Sequence, residues 1–401
     1  MKIVQINATC GVGSTGNICV GISNMLSENN IENYIFYSCA SNGHNLGIQC
    51  ANYKYLKLQA LKSRIFGNYG FNSNTATRRM IKYLNRIKPD IVHIHNIHGH
   101  DCNLNTLFTY FKKNKIKLVW TFHDCWAFTG YCPHFTIEKC DKWKSSCHKC
   151  TQKSSYSWFF DNSRWLFEKK KSLFNGLDLT VVTPSEWLAS LVKQSFLKEH
   201  TVCVINNGID LSVFKPIESD FRTKYGLVDK KIVLGVSFDW GIKKGIDVFV
   251  DLSKHLPDDY RIILVGTNDE TDKILPKNII SIHRTQNQKE LAEIYTAADI
   301  FALPTREENY PTVNMEALAC GTPVVTFRTG GSYEMLDETC GSVVDYNDIN
   351  ALKNEIIRIC ENKIYSKEAC LKKAERFNKN ERFKEYIQLY ERIESAGAER
   401  N

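Results

Sequence analysis

Two glutamates, Glu308 and Glu316, stand eight positions apart in the segment TREENYPTVNMEALACGTPVV (Thr305–Val325). Pro311 and Thr312 suit the opening of a helix, which puts Glu308 in the loop before it and Glu316 inside it. Eight helical residues rise about 12 Å, whereas the carboxyl pairs of glycoside-hydrolysing sites lie roughly 5–9.5 Å apart. The pair therefore suits the two ends of one extended ligand, not an acid/base dyad. The free N–H groups of that helix face the loop Glu307–Tyr310 and offer a place for an anion. Lys243 and Lys244, followed by Gly245, add two cations. A second anion-binding turn is GVGSTGN (Gly11–Asn17), with glycines where a first strand would turn into a helix. Its spacing is G-x-G-x-x-G, but Ser38 and Cys39 stand where a nicotinamide-binding chain would carry an acidic residue, which excludes that class. The run HIHNIHGHD (His93–Asp101) invites a metal reading, yet a strand end lined with polar aromatics explains it as well. Cys132, Cys140, Cys147 and Cys150 are a better metal set. The Cys147-x-x-Cys150 pair chelates one ion, and the other two close a tetrahedral thiolate site, with His134 or His148 as substitutes. The competing reading is that these are small buried thiols.

The elements that must position these groups alternate strand and helix. Strands are predicted at Ile3–Asn7, Tyr34–Ser38, Asp90–His95, Lys117–Phe122, Leu179–Thr183 and Val202–Ile205. The scheme repeats at Lys231–Ser237, Arg261–Val265, Ile279–His283, Ile300–Pro304, Pro323–Phe327 and Ser342–Asp345. Helical patterns such as Lys289–Ala298 and Ala351–Glu361 lie between them, and a charged helix is expected at Asn380–Ile393. Such alternation predicts parallel sheets, hence α/β twice over. Parallel sheets bind ligands beyond the carboxyl ends of their strands. The glycine turn, His123 with Asp124, Lys243 with Lys244, Glu307 to Asn309, and Gly330 with Gly331 all follow strands in that sense.

A chain of 401 residues is long for one core, which also favours two domains. The start, MKIVQINATCGVGSTG, reads as a strand and its turn, not a signal peptide, and no apolar run reaches membrane-spanning length. Fifteen cysteines, an odd number, fit a reduced cytoplasmic protein better than a disulfide framework. The net charge of +8 is uneven: residues 1–215 carry 26 Lys/Arg against 13 Asp/Glu, and the remainder 26 against 31. No acid occurs from Asn33 through Pro89, where Lys54, Lys57, Lys62, Arg64, Arg78, Arg79, Lys82, Arg86 and Lys88 lie among Tyr53, Leu56, Leu58, Leu61, Ile65 and Phe66. That span is either a solvated basic face or a seat for an anionic partner, an inner-membrane surface or a phosphate-bearing acceptor. Nucleic acid is not expected, because no binding module is recognisable.

The E-x7-E spacing followed by ALACGTPVV resembles the retaining glycosyltransferases of the GT-B fold, family 4 group. PSEWLA (Pro184–Ala189), VINNGIDLSVFKP (Val204–Pro216), KKG (Lys243–Gly245), AADIFALPT (Ala297–Thr305) and GGSYE (Gly330–Glu334) match in order along nearly the whole chain. TFHDCWAFTGYCPHF (Thr121–Phe135) resembles a subgroup acting in bacterial capsule, exopolysaccharide or lipopolysaccharide assembly. The resemblance implies two Rossmann-like domains facing across a central cleft. An acceptor domain is expected at 1–212 with a Cys-rich loop at 125–150, a nucleotide-sugar domain at 213–379, and a helix at 380–401 packing back on the first domain.

Carried over residue by residue, Glu308 meets donor-sugar hydroxyls and Glu316 holds the ribose. Thr312 and Val313 present backbone N–H groups to the diphosphate, with Asn309, Tyr310 and Pro311 beside them. Lys244 neutralises the leaving phosphates, His123 lies at the donor sugar, and Gly13 lies near the phosphates. Gly16, His95 and Asp124 fall on the acceptor side. Many relatives place an arginine six residues before that lysine; here Phe238 stands there, which leaves Lys243 as a second cation. The implied reaction is transfer with retention from a UDP- or GDP-sugar to a glycan or lipid-linked glycan. It calls for no metal cofactor, and no Asp-x-Asp motif is present. A GT-B-type UDP-sugar epimerase and a non-catalytic sugar-nucleotide-binding relative are the alternatives.

Overall fold

The computed structural model describes residues 1–398. The chain forms two compact units, Met1–Asn206 with the stretch from Arg382 onward, and Asn207–Glu381. In the first, seven strands lie in the order Gly47–Gln49, Glu32–Tyr37, Lys2–Ile6, Ile91–Ile94, Lys117–Thr121, Leu179–Thr183, Thr201–Val204. In the second, six lie in the order Ile279–Ile282, Tyr260–Val265, Lys231–Val236, Ile300–Leu303, Val324–Phe327, Gly341–Val344. Every pairing in both sheets is parallel. Each unit is thus a Rossmann-like α/β domain whose first strand is central, with the chain turning to its other side at the fourth. That reversal opens a crevice at the carboxyl ends of Lys2–Ile6 and Ile91–Ile94 in one unit, and of Lys231–Val236 and Ile300–Leu303 in the other.

Strands buried on both faces read as continuous apolar runs, which is why Ile91–Ile94 and Ile300–Leu303 are buried at every position. One face of the first sheet carries Val4, Ile94, Leu118 and Trp120 against Phe108, Phe174 and Trp126. The other carries Ile3, Ile91, Val119 and Val182 against Ile18, Ile22 and Leu26 and against Phe383, Ile387 and Tyr390 of the last helix. That helix, Lys379–Ala398, therefore completes the core of the unit in which the chain began. The domain boundary lies at Asn207, and the return to the first unit at Arg382. The three-residue edge strand Gly47–Gln49 has no counterpart in the sequence reading. No helix among the described residues is long and apolar enough to cross a membrane.

Candidate functional site

In the second unit, the loop after Lys231–Val236 and the loop after Ile300–Leu303 are stitched together. The Lys243 carbonyl accepts from the Arg306 amide at 2.8 Å and from Thr305 Oγ1 at 3.1 Å. Across this seam Lys244 Nζ lies 2.6 Å from Glu308 Oε2, and Lys243 Nζ 2.6 Å from Glu307 Oε2. Glu308 Oε1 also accepts from the Asn309 amide at 3.1 Å. Lys243 and Lys244 thus meet Glu307 and Glu308 as two ion pairs, and Glu316, the other glutamate singled out in the sequence, takes no part in them.

Arg306 was not singled out in the sequence. Its guanidinium forms a two-pronged pair with Asp247, both bonds 2.7 Å, and also donates to the Ile242 carbonyl and Asn347 Oδ1. Such a fork fixes the loop that carries Lys243 and Lys244. Its charge is committed to Asp247, so it does not replace the arginine that Phe238 displaces. Phe238 itself is fully exposed.

Gly330 explains how the Glu308 backbone is held. Its φ is +55°, and a Cβ there would stand 1.9 Å from the Glu308 carbonyl oxygen. Gly331 then donates to the Asn309 carbonyl at 2.7 Å. Downstream, Pro311 caps the helix Thr312–Ala319, so the Thr312 and Val313 amides open its N-terminus. Tyr310 is buried, and its carbonyl accepts from Asn207 Nδ2 at 3.2 Å. Glu316 lies one turn inside the helix and accepts from the Tyr295 hydroxyl at 3.0 Å. Burial raises its carboxyl to about 7, although Tyr295 and Thr312 hydrogen bonds pull the other way.

In the first unit the glycine turn behaves as a strand-to-helix corner. Gly13 has φ +69° and begins the helix Gly13–Glu28. Gly16 is buried in its first turn, where a Cβ would lie 2.7 Å from Thr9 Oγ1. At the neighbouring strand ends, four histidines divide into separate networks. His93 Nδ1 meets the Tyr390 hydroxyl at 2.6 Å, and its Nε2 meets Thr121 Oγ1 at 2.8 Å. His95 lies between Gln5 and His123, with Nε2 3.1 Å from Gln5 Oε1 and Nδ1 3.2 Å from His123 Nε2. The Gln5 amide nitrogen donates to the Cys19 carbonyl at 2.9 Å, which turns Oε1 toward His95. His95 therefore donates through Nε2 and accepts through Nδ1, and His123 donates through Nε2. Burial drives His93 and His95 well below their ordinary pKa, and His123 down to about 4, so all three are neutral at pH 7.

His98 and Asp124 form a different pair, 2.9 Å apart. Burial alone would lower the His98 pKa, but the Asp124 carboxylate more than offsets it. Burial would likewise raise Asp124, and His98 with the Trp126 amide bring it to about 2. The structure thus brings His95 to His123, and keeps Asp124 charged beside them.

A surface in the same unit combines charge with exposed aromatics. The helix Tyr53–Phe66 exposes Tyr53, Leu58, Leu61 and Phe66 beside Lys54, Lys57 and Lys62, whereas Leu56 faces the core. Trp158, Phe159 and Phe160 are also exposed. They join the end of that helix through the Trp158 amide on the Arg64 carbonyl at 2.7 Å and Asn162 Nδ2 on the Phe66 carbonyl at 2.8 Å.

All fifteen cysteines are free thiols, and Cys132 and Cys147 are buried with Cys140 and Cys150 partly so. Among the described residues, three possible ligand atoms lie within 4.8 Å of one another only at Asp269, Asp272 and His283, all exposed. The four loop sulfurs stand farther apart than that as a set.

Comparison with known proteins gives these halves a family. The family described as Glycosyltransferase Family 4 matches residues 19–213, and Glycosyl transferases group 1 matches 218–384. The putative colanic acid biosynthesis glycosyl transferase WcaC of Escherichia coli (strain K12) is 24% identical over 373 residues, 87% of this chain and 88% of that protein. Sucrose-phosphate synthase from Thermosynechococcus elongatus superposes with TM-score 0.73 at 19% identity, covering 99% of this chain and 100% of that one. Anabaena Alr3699/HepE in complex with UDP gives TM-score 0.70 at 16% identity, covering 98% and 100%. The chain belongs to the GT-B-fold glycosyltransferases, with a family 4 domain followed by a group 1 domain.

Proposed function

We propose that this glycosyltransferase moves a sugar from a UDP- or GDP-sugar, with retention of configuration, onto a glycan or lipid-linked glycan in bacterial surface polysaccharide assembly. The observation that carries the reading is the Lys244–Glu308 pair, set just ahead of the open N-terminus of Thr312–Ala319. In this reading the Thr312 and Val313 amides and Lys244 take the diphosphate, with Lys243 as a second cation. Glu316 takes the ribose and Glu308 the sugar hydroxyls, while Asn309, Tyr310 and Pro311 shape the loop. The glycosyl C1–O bond breaks as charge grows on the diphosphate, where fixed donors stabilise it most. The departing diphosphate oxygen accepts the acceptor hydroxyl proton, and that hydroxyl oxygen forms the new bond on the same face. No metal cofactor is required, because Lys244 and the helix N-terminus meet the charge. For the first unit the reading assigns neutral His123 a role toward the donor sugar and Gly13 one toward the phosphates, and it gives Gly16, His95 and Asp124 roles toward the acceptor. WcaC's name supports the surface-polysaccharide assignment, and the HepE complex makes UDP the first nucleotide to test.

The finer location is peripheral, on the cytoplasmic face of an anionic inner membrane. Exposed Lys54, Lys57 and Lys62 beside Phe66 and Trp158–Phe160 support it. Each base near such a surface contributes about 1 kcal/mol, and Trp suits the interface.

The test begins with thermal shifts against UDP, GDP and their sugars, since a ligand of the folded state raises its stability. Incubation of the best donor with lipid-linked acceptors follows, with the anomer read by NMR. A glycoside of retained configuration supports the proposal. An inverted product, an epimerised donor, or binding without turnover overturns it.

A further inference from the structure

The loop between Cys125 and Ser163 has two exceptional features: little regular structure, and four thiols in one place. Its only elements are Trp126–Phe128, Lys142–Lys144 and Lys153–Tyr156, each one turn or less. Within it Cys132 and Cys147 are buried in one cluster with Phe135 and Trp143, Cys140 packs against that cluster, and Cys150 stands two residues beyond the Cys147–His148 pair as the end of a Cys-x-x-Cys chelate.

Three further observations point the same way. First, donors already face two of the sulfurs. The Gly130 amide lies 3.3 Å from Cys147 Sγ, and the Gln152 amide hydrogen-bonds Cys150. An amide aimed at sulfur stabilises a thiolate far more than a thiol. Second, Lys170 is fully buried and donates to the carbonyls of Trp126, Thr129 and Gly130 at 2.7, 3.1 and 3.3 Å. It makes no ion pair with a carboxylate among the described residues, and burial lowers its pKa to about 7. A buried ammonium is costly without a nearby negative charge. Third, the residues just before Cys140 and Cys150, Lys139 and Lys149, have φ of +46° and +44°. A lysine in that region is strained, and the strain persists only where the surroundings impose it.

We propose that Cys132, Cys140, Cys147 and Cys150 hold one structural zinc ion as a tetrathiolate. Binding releases four protons and leaves a net charge of minus two, for which Lys170 is the internal counter-charge. Zn–S bonds of about 2.3 Å put the sulfurs about 3.8 Å apart, so the side chains close inward by rotation when the ion binds. The ion then adds order to a loop with little regular structure, beside the stacked rings of Trp143 and Phe135.

The experiment uses the full chain purified without chelator. Elemental analysis should give about one zinc per chain, and replacement by cobalt should give the intense absorption of sulfur-to-cobalt charge transfer. Cys147→Ser with Cys150→Ser should remove the metal, while Cys340→Ser with Cys370→Ser should keep it. A wild-type protein without zinc overturns the proposal, and so does zinc that survives the loop substitutions, which would belong elsewhere, for example at Asp269, Asp272 and His283. Fewer than fifteen titratable thiols in metal-free, unfolded protein would mean disulfides and also overturn it. If the loop variants fail to fold, the cobalt spectrum of the wild type decides alone.

Discussion

Lys244 Nζ and Glu308 Oε2 stand 2.6 Å apart, so the cation assigned to the diphosphate is held by the carboxylate assigned to the sugar. A bound donor must part them or bridge them. Glu308→Ala and Lys244→Ala should each lower kcat about 10²–10³-fold with an unchanged far-UV spectrum. Their binding should diverge. Glu308→Gln frees Lys244, and UDP should bind roughly two- to fivefold more tightly, the ~0.5–1 kcal/mol of a partly exposed pair. Lys244→Ala should weaken UDP. Calorimetric titration checks both, and UDP affinity lowered alike in the two variants would refute the division of labour.

Glu316 predicts a pH dependence. Its folded carboxyl titrates at about 7, whereas an unfolded one titrates near 4.3. Between those values the folded chain keeps a proton that the unfolded chain has lost. The contribution is therefore complete below about pH 4, declines as pH rises, and is gone above pH 7. Glu316→Gln should remove that slope, narrowing its deficit or gaining on wild type by up to ~4 kcal/mol between pH 4 and 8. Urea melts of both proteins across that range make the comparison. Parallel curves would show that Glu316 titrates alike in the folded and unfolded chain, and would remove the claim.

Gly330→Ala offers a test of how the glutamate loop is held. A Cβ at 330 would strike the Glu308 carbonyl, whereas at Gly226, with a similar φ of +65°, it would meet nothing within 4 Å. Gly226→Ala should therefore cost only the left-handed backbone term, roughly 1–2 kcal/mol, with transfer retained. Gly330→Ala should destabilise further and lower kcat/KM at least about tenfold, as a misplaced catalytic group does. Equal effects of the two substitutions on transfer would remove the claim.

The basic and aromatic surface predicts salt-sensitive membrane binding. Flotation with anionic vesicles should recover the protein at low salt and lose it at high salt. Replacing Trp158, Phe159 and Phe160 by Ser should weaken recovery without altering donor binding. Absence of binding to anionic vesicles at low salt would exclude this surface as a membrane contact.

Much of this was readable in sequence where the signal is local. Leu179–Thr183 is a run of β-branched and apolar residues and forms the strand expected of it. Glu308 and Lys244 declare themselves by following such runs. Gly47–Gln49 does not, because three residues led by glycine carry no periodicity, and the strand exists only by pairing with Glu32–Tyr37. The supports of the site were equally hidden. Arg306 finds Asp247 59 residues away, His95 finds Gln5 at 90, and His93 finds Tyr390 at 297. Those partnerships are made by folding, and no spacing along the chain announces them.

The last helix has a bearing on how the protein is made. Residues from Arg382 onward leave the ribosome after the whole second unit, yet Phe383, Tyr386 and Tyr390 pack with Ile3, Ile18 and Ile22, which leave it before that unit. The beginning of the chain must wait, with an apolar stripe uncovered, while the whole second unit is synthesised. At about 5–20 residues per second, that interval lasts on the order of ten seconds or more. A message truncated just ahead of the Arg382 codon would thus yield a chain whose second unit is complete and whose first unit lacks one side of its core.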